Sequence, residues 1–495
     1  MRTRLGILSR PAHARRLLPV FTLTVTALWL LGAGQAWGAS RSSGSAPPKP
    51  VSAPMNPVAA PGGWATPGLG HVPTPVPGFH APRGFSYSPM AKSYASSFDL
   101  RTYGKATPVR DQAGHGTCWV FAGYGSLESC LLTGETWDFS EDNLAYFKGF
   151  DGGYDWGGNS IMVAACLTRW GQPFAEADDP YDDDLHPDPS TLTLQKHVQN
   201  VIYLPPRTSA TDNDTLKHAL TTWGAIDVSI YWTSNSAYWN ATTNSLYFTG
   251  KQRYNHDITV IGWDDNYPAS NFSRTPPGNG AFLIKNSWGT SWGDAGYFWI
   301  SYYDSTFGYD TMNSVFTGAE STANYGSIYQ YDPFGYVGSF GFGTGVPVWG
   351  ANRFTAQSNS QLTALGFWTL GVDTAYELYC GTSLSNLQLK GSGTVTEMGY
   401  HTVALSSPVS LTASNDFYVA VKLTTPGHGT PMAKEFRYPG YCRAASANTN
   451  ESFYSSNGST WTDFTSYQKN ANVCIKAYTA APAGRTASPS TPWRR

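Results

Sequence analysis

The hydrophobic pattern changes near residue 320, and this change divides the chain into at least two folding units. Beyond it, helical spacing disappears, and short runs of β-type alternation recur between turn signals, as in residues 363–368 and 415–422. The pair Asn457-Gly458, between two aromatic-rich runs, is typical of a hairpin turn. Residues 322–479 are therefore predicted to form an all-β sandwich.

Residues 96–318 show helical spacing first and strand patterns afterwards. A loop followed by a helix is predicted within 101–143, and a second helix over 159–170. Strands are predicted at residues 227–232, 256–261, 281–285 and 296–303. This order predicts an α+β unit in which the helices precede the strands.

Three further segments flank these units. Several arginines precede the apolar run Leu17–Leu31, which predicts a signal peptide over residues 1–38. The run is short for a membrane span and contains Pro19, so a signal peptide is favoured over an uncleaved anchor. Residues 39–95, called the leader below, hold 12 of the 33 prolines and no Asp or Glu, which predicts an extended linker or a processed leader. Residues 480–495 are predicted to be a disordered tail.

The composition excludes several classes of partner. Only 13% of the residues are charged and the net charge is −2, so no basic surface is available for nucleic acid or an anionic membrane. No zinc-like spacing and no phosphate-binding glycine loop is present, so we predict no cofactor and no metal. A secreted protein can form disulfides, but if one of the six cysteines must stay reactive, at most two can form.

Cys118 lies where a glycine-bearing loop meets a stretch with Val120, Tyr124 and Leu127 at helical spacing. A cysteine at a helix N-terminus is favoured as thiolate by the helix dipole and the free amide groups. Gln112 lies six residues earlier, and its side-chain amide is a candidate oxyanion donor beside the backbone N–H of Cys118. A buried structural cysteine is the alternative, and this segment alone does not decide between the two.

A base and its orienting acceptor are found further along the chain. His256 opens a strand whose alternation directs His256 and Asp257 to opposite faces, so the imidazole can face a cleft while its neighbours pack. Asn286 ends a later strand, and its side-chain oxygen can accept a hydrogen bond from an imidazole N–H. The adjacent Trp288 can shield that bond from water.

These three segments resemble the papain-like cysteine peptidases. The matching blocks, in chain order, are Gln112 with Cys118-Trp119, Asn255-His256, and Asn286-Ser287-Trp288-Gly289-Thr290. The spacing is 138 residues from cysteine to histidine and 168 from cysteine to asparagine, the latter somewhat beyond the family's usual range of about 130–150.

The resemblance implies a cysteine endopeptidase with Cys118, His256, Asn286 and Gln112 as catalytic residues. It also implies that residues 96–318 form two subdomains, a helical half and a β-rich half, with the cleft between them. Substrate would be held by Gly157 and Gly158, which resemble the glycine pair that receives substrate backbone, and beside Trp288. The residues themselves leave open endo- or exopeptidase action and the side-chain preference.

The chain departs from the family's pattern in three places. The cysteine usual three residues before the nucleophile is replaced by His115, and its disulfide partner by Asp155 or Trp156, so we expect a His115–Asp155 contact in place of the disulfide. Asp257 replaces the small residue usual after the histidine and is expected to point away from the thiolate. The family's helical inhibitory propeptide is missing, because the proline-rich leader cannot form it, which leaves the origin of latency open.

The C-terminal unit resembles the lectin-like β-sandwich appended to some bacterial and archaeal papain-like enzymes, on residues 351–356 and 452–461. We predict a secreted, extracellular protein, with association to the cell surface as a further expectation. Its partners would be protein or peptide substrates and a cell-surface glycan, with no stable membrane insertion after signal cleavage. Two other functions remain open: a surface adhesin with an inactive peptidase fold, and a transpeptidase that uses the same thioester.

Overall fold

The structure is a computed structural model that describes residues 48–57, 69–82, 85, 87, 93–181 and 185–481. The predicted signal peptide and all but the first two residues of the predicted tail lie outside these ranges. In the described part of the chain, no helix has the length and hydropathy needed to span a membrane. The α-helices are α1 (Cys118–Leu131), α2 (Glu141–Phe147), α3 (Ser160–Thr168), α4 (Asp214–Thr222) and α5 (Phe464–Tyr467).

The strands are far more numerous than the helices. They are β1 (Val51–Ser52), β2 (Ser97–Asp99), β3 (Lys196–Tyr203), β4 (Ile226–Ile230), β5 (Trp239–Asn240), β6 (Ser245–Leu246), β7 (His256–Asp264), β8 (Ala281–Lys285), β9 (Tyr297–Ser301), β10 (Ser314–Ser321), β11 (Tyr325–Tyr329), β12 (Gly338–Gly341), β13 (Val348–Thr355), β14 (Ser360–Thr369), β15 (Thr374–Gly381), β16 (Leu387–Val395), β17 (Met398–Leu411), β18 (Asp416–Thr424), β19 (Met432–Phe436), β20 (Ser452–Ser455), β21 (Thr462–Asp463), β22 (Ala471–Val473) and β23 (Ile475–Ala480). The predicted helix over 159–170 and the four predicted strands of the first unit are confirmed by α3, β4, β7, β8 and β9.

Helix α1 is the central element of the first unit. Twelve consecutive residues from Cys118 to Ser129 are buried, so the helix has no solvent-exposed stripe and packs on all sides. It lies against β4, β7 and β10, the strands that follow the helices in the chain. The first residue of a fully packed helix is therefore held in a fixed position beside the sheet.

One sheet runs through both units, in the order β11-β23-β14-β17-β3-β10-β4-β7-β8-β9-β6-β5, with β2 beside β7. The two units meet where β17 pairs antiparallel with β3, in the register Met398↔Tyr203 to His401↔Asn200. This junction protects two strand edges that would otherwise present unpaired backbone groups. The change of pattern near residue 320 does not reveal the junction, because the pairing uses backbone groups.

The C-terminal unit is β-rich, as predicted. A second sheet, β16-β15-β18-β13-β20-β21, shares a hydrophobic core with the β14 region, where the rings of Phe367 and Tyr376 lie 5.5 Å apart. The predicted hairpin is confirmed, because β20 and β21 pair antiparallel around Asn457-Gly458. Gly458 has a φ of 74°, a left-handed conformation that a glycine adopts without strain.

The described parts of the leader are extended and packed against both units. Strand β1 pairs with β12 of the C-terminal unit, which forms a four-stranded sheet with β19 and β22. The ring of Phe79 stacks on Tyr203 at 4.2 Å, and the backbone N–H of His80 donates to Leu370 O at 2.8 Å. The leader is therefore a bound strap rather than a free linker where the structure describes it.

Candidate active site

The structure brings Cys118 and His256 to the same end of the α1–β7 contact. Cys118 is the first residue of α1 and is fully buried. The backbone N–H of Asp257, the second residue of β7, donates to Cys118 Sγ at 3.4 Å. The predicted nucleophile therefore lies at a helix N-terminus and directly beside the strand that carries the predicted base.

His256 is oriented by Asn286. The two residues lie at the same edge of the sheet, because β7 begins where its antiparallel neighbour β8 ends. His256 Nε2 donates to Asn286 Oδ1 at 2.8 Å, and the Trp288 ring stacks on the imidazole with centroids 4.7 Å apart. Nδ1 of His256 is buried and has no hydrogen-bond partner among the described residues, which leaves that nitrogen for the thiol.

Gln112 is fully buried and held in place on both sides of its amide. Ser287 Oγ donates to Gln112 Oε1 at 2.6 Å, and Gln112 Nε2 donates to His115 O at 2.7 Å. The amide nitrogen carries two hydrogens, so this bond leaves one for a ligand oxygen. The predicted oxyanion donor is therefore oriented before any substrate binds.

The glycine pair lines the opposite wall of the cleft. Gly157 has a φ of 94°, in the left-handed region. At Gly158 a Cβ would overlap the ring of Trp119, so no larger residue fits. Gly158 N–H donates to Gly70 O at 2.9 Å, and Gly158 O accepts from Val72 N–H at 2.7 Å. The peptide backbone bound at this wall belongs to the leader.

Residues 69–72, called the cleft segment below, thus cross the site. His71 and Gly158 form a parallel β-bridge, and the backbone N–H of Gly70 donates a hydrogen bond to the Cys118 sulfur. This occupation of the cleft could not be predicted from the sequence, because a proline-rich segment without acidic residues indicates only an extended chain. The cleft is thus occupied by the chain itself, although the family's helical propeptide is missing.

The carboxylate of Asp257 contacts the cleft segment. Its carboxylate oxygens lie 2.8 and 3.0 Å from His71 Nδ1, and both side chains are buried. Strand alternation correctly separates Asp257 from His256, but the cleft segment brings its imidazole to the face that Asp257 occupies. Both faces at this end of β7 therefore contribute to the cleft.

Burial favours the neutral form of both candidate catalytic groups beneath the cleft segment. Burial raises the pKa of the Cys118 thiol well above its usual range, and the charge of Asp257 acts in the same direction. Burial also lowers the pKa of His256 to about 4, against the opposing effect of the Asn286 hydrogen bond. The thiolate is the nucleophilic form of a cysteine, so this burial disfavours attack by Cys118 while the cleft segment covers it.

The departures in the nucleophile loop are compensated locally. His115 Nδ1 lies 2.8 Å from Asp155 Oδ1, so the expected contact in place of the missing disulfide is confirmed. The same carboxylate oxygen accepts from Gly116 N–H at 3.3 Å. All six cysteines are described, and each is a free thiol.

One group within the described ranges has the composition of a metal site: Asp142, Asp179 and His186, whose ligand atoms lie within 4.8 Å of one another. These atoms already bond to protein groups. His186 Nδ1 lies 2.6 Å from Asp142 Oδ2, and Asn143 Nδ2 donates to Asp179 Oδ2 at 2.7 Å. The hydrogen bonds account for the cluster without an ion.

Comparison with known proteins identifies both units. The papain family cysteine protease model matches residues 94–317, and the lectin like domain model matches residues 328–479. The chain therefore contains a papain-family cysteine protease domain followed by a lectin-like domain, with the predicted papain-like fold.

A solved structure with the same pair of domains is that of Cwp84, a surface layer associated protein of Clostridium difficile. It shares 26% identity, covers 86% of this chain and 97% of that one, and gives a TM-score of 0.72. Clostridial Cwp84 after propeptide cleavage gives 28% identity, a TM-score of 0.69, and coverage of 78% and 99%.

Curated relatives match the protease domain. A cathepsin L-like peptidase of Aedes aegypti is 28% identical over 211 residues, which are 41% of this chain and 57% of the relative. Cysteine proteinase 15A of Pisum sativum is 28% identical over 241 residues, which are 45% and 62% of the two chains. The match thus covers less than two thirds of the length of these relatives.

Proposed function

We propose that this protein is a secreted cysteine peptidase, with Cys118 as nucleophile, His256 as acid and base, and Asn286 as the acceptor that orients the imidazole. The observation that carries the proposal is the 2.8 Å His256–Asn286 bond beside a cysteine at the N-terminus of a buried helix. That bond fixes the hydrogen on Nε2, so Nδ1 is the atom that exchanges a proton with sulfur.

The reaction then follows from the geometry. Transfer of the thiol proton to His256 Nδ1 gives a thiolate that attacks the substrate carbonyl, and the N–H groups of Gln112 and Cys118 stabilise the resulting oxyanion. The imidazolium returns the proton to the leaving amine, and a thioester remains on sulfur. Water, deprotonated by His256, hydrolyses the thioester and regenerates the thiol.

The leader is the propeptide of this peptidase in our proposal. The backbone bonds of the cleft segment to Gly158 occupy the wall that a substrate backbone would use. The Clostridial relative is described after propeptide cleavage, which supports the same form of control here. Activation therefore requires cleavage of the leader and its release from the cleft.

The site of action proposed is the cell surface or its surroundings. Support comes from the predicted signal peptide and from Cwp84, which is described as surface layer associated. Because all six cysteines are free thiols, the fold does not require disulfide formation after export.

The lectin-like domain is proposed to bind a glycan on the outer face of its second sheet. Trp349 lies 4.8 Å from Tyr379 and 6.3 Å from Trp461 between ring centroids, and Lys422 pairs with Glu377 at 2.7 Å beside them. Partly exposed aromatic rings with adjacent polar groups can stack on sugar rings and hydrogen-bond their hydroxyls. Trp349→Ala is expected to reduce binding on a glycan array at least tenfold, and equal binding by both proteins would remove this part of the proposal.

The peptidase proposal is tested by labelling the nucleophile. The full-length chain, with a specific protease site in place of residues 88–92, is cleaved, separated from its leader, and incubated with a thiol-directed epoxide inhibitor beside a Cys118→Ala variant. We expect one adduct, located at Cys118 by mass spectrometry, and peptide hydrolysis that the inhibitor and the substitution both abolish. The five other thiols serve as internal controls for selectivity.

The other outcomes separate the alternatives. Absence of both labelling and cleavage would contradict the proposal and favour an adhesin with an inactive fold. Labelling with products that carry an added amine in place of water would identify a transpeptidase.

A further inference from the structure

The imidazole of His71 fills a buried, acidic recess of the cleft. Nδ1 bonds both carboxylate oxygens of Asp257, and His71 and Asp257 are 4% and 2% exposed. Burial alone would lower the pKa of His71, but the carboxylates of Asp257 and then Asp310 outweigh it, and the pKa is raised. The recess therefore favours a positively charged side chain.

The position of this recess relative to the nucleophile follows from the backbone bonds. Gly70 lies at the Cys118 sulfur, and the next residue, His71, lies opposite Gly158. A substrate has its scissile residue at the sulfur, its carbonyl oxygen toward Gln112 and its leaving group toward His256. The residue that precedes the scissile one would then lie opposite Gly158, with its side chain in the place of the His71 ring. In this arrangement the substrate runs opposite to the cleft segment, in which His71 follows Gly70.

The recess has room for a side chain longer than histidine. A cavity of about 190 Å³ adjoins His71 between the leader and the enzyme, and its enzyme side is lined by Asn159, Tyr254, Asp310, Thr311 and Met312. Release of the leader would leave this side open to a substrate side chain. Most of these side chains carry a hydrogen-bonding group, so the cavity suits the end of a lysine or arginine better than an aliphatic chain.

Asp257 depends on the leader for its charge partner. Among the described residues, His71 is the only ion-pair partner of Asp257. When the leader leaves, the carboxylate loses that partner, and an apolar substrate side chain would bury the charge again without compensation. A basic side chain would restore the pair.

Resting on the proposed peptidase function, we infer that Asp257 is a specificity-determining residue, and that the enzyme selects lysine, arginine or histidine immediately before the residue whose carbonyl Cys118 attacks. Asp310 adds to the same negative field. In the latent chain, His71 occupies this subsite as the leader's own basic side chain.

The first test measures hydrolysis by the leader-cleaved enzyme. Internally quenched peptides that differ only in Lys, Leu or Glu at this position are compared, and mass spectrometry maps the bond that is cut. We expect kcat/KM for Lys to exceed that for Leu at least tenfold, with Glu lowest. Asp257→Asn should lower the Lys value at least tenfold and the Leu value less than threefold. The matched control, Asp264→Asn, removes the same charge further along β7 and should change neither.

The second test needs no catalysis. A peptide of residues 69–80 is titrated onto the leader-cleaved Cys118→Ala chain, from which the leader has been removed. Replacing His71 by Lys in the peptide should preserve its affinity, whereas Leu should weaken it at least tenfold and Glu further. Asp257→Asn in the protein should abolish these differences, and thermal melting verifies that each variant is folded.

The two tests distinguish failure of this inference from failure of the proposed function. Active enzyme with equal rates for Lys and Leu, or with a ratio that Asp257→Asn leaves unchanged, would overturn the subsite and leave the peptidase in place. An inactive enzyme that still orders the peptides as expected would support the recess and contradict the peptidase. Equal affinity of all peptides would overturn the inference regardless of activity.

Discussion

A full-length chain carrying Gly70→Ala is expected to hydrolyse peptides without any cleavage of its leader, at least about 100-fold faster than the unsubstituted full-length chain. The reason is steric. A Cβ at Gly70 would overlap the backbone carbonyl of Gly116, in the loop before the nucleophile. Backbone atoms cannot turn aside as a flexible side chain can, so the cleft segment must leave the sulfur. Hydrolysis of a quenched peptide by the uncleaved protein measures the effect.

The control for this experiment is Gly153→Ala, because a Cβ at Gly153 has no atom within 4 Å. That variant should remain as latent as the unsubstituted chain. After specific cleavage and removal of the leader, all three proteins should reach the same kcat/KM, since Gly70 is not part of the mature enzyme. If Gly70→Ala stays silent until the leader is cleaved, occupation of the cleft by this segment is not what maintains latency.

Replacing His256 by alanine is expected to lower kcat/KM of the leader-cleaved enzyme about 10⁴-fold or more. The substitution removes the group that takes the thiol proton and returns it to the leaving amine. The same measurement on Cys118→Ala combined with His256→Ala should show little further loss beyond Cys118→Ala alone, because the two residues act as one unit. Initial rates are normalised to the concentration of folded protein, because variants without the thiol cannot be titrated with an active-site inhibitor.

His197→Ala is the control for this prediction. Its imidazole is buried like that of His256, and its pKa is also lowered to about 4 by burial. It lies on β3, where it stacks on Trp170, and has no contact with the cleft residues described above. Its replacement should reduce stability without reducing kcat/KM of the folded fraction. Comparable loss of activity in both variants would show that the His256 effect is structural.

The arrangement of the candidate catalytic residues could be predicted from the sequence because each part has a local signature. Helical spacing after Cys118 predicts a helix that begins there, and strand alternation predicts that His256 faces a cleft. Asn286 follows a short apolar run that predicts a strand. Their order along the chain, together with the flanking residues, connects them to one fold. The structure then supplies the distances.

The occupant of the cleft could not be predicted in the same way. The cleft segment binds through backbone groups of Gly70 and Val72, and such bonds leave no side-chain pattern. The recess for His71 depends on Asp257, 186 residues away in the chain, and the sequence shows only an acidic residue where a small one is usual. Likewise, β17 and β3 join two domains through backbone pairing alone.

The attachment of the leader at several points changes what a single cut can achieve. The leader pairs with β12 through Val51–Ser52, fills the cleft at residues 69–72, and contacts the lectin-like domain again at His80. After cleavage, each contact that opens is kept near its partner by the others, so the high effective concentration favours rebinding. If the proposed function holds, the cleaved leader acts as a multivalent inhibitor, and its dissociation is expected to set the delay between cleavage and activity.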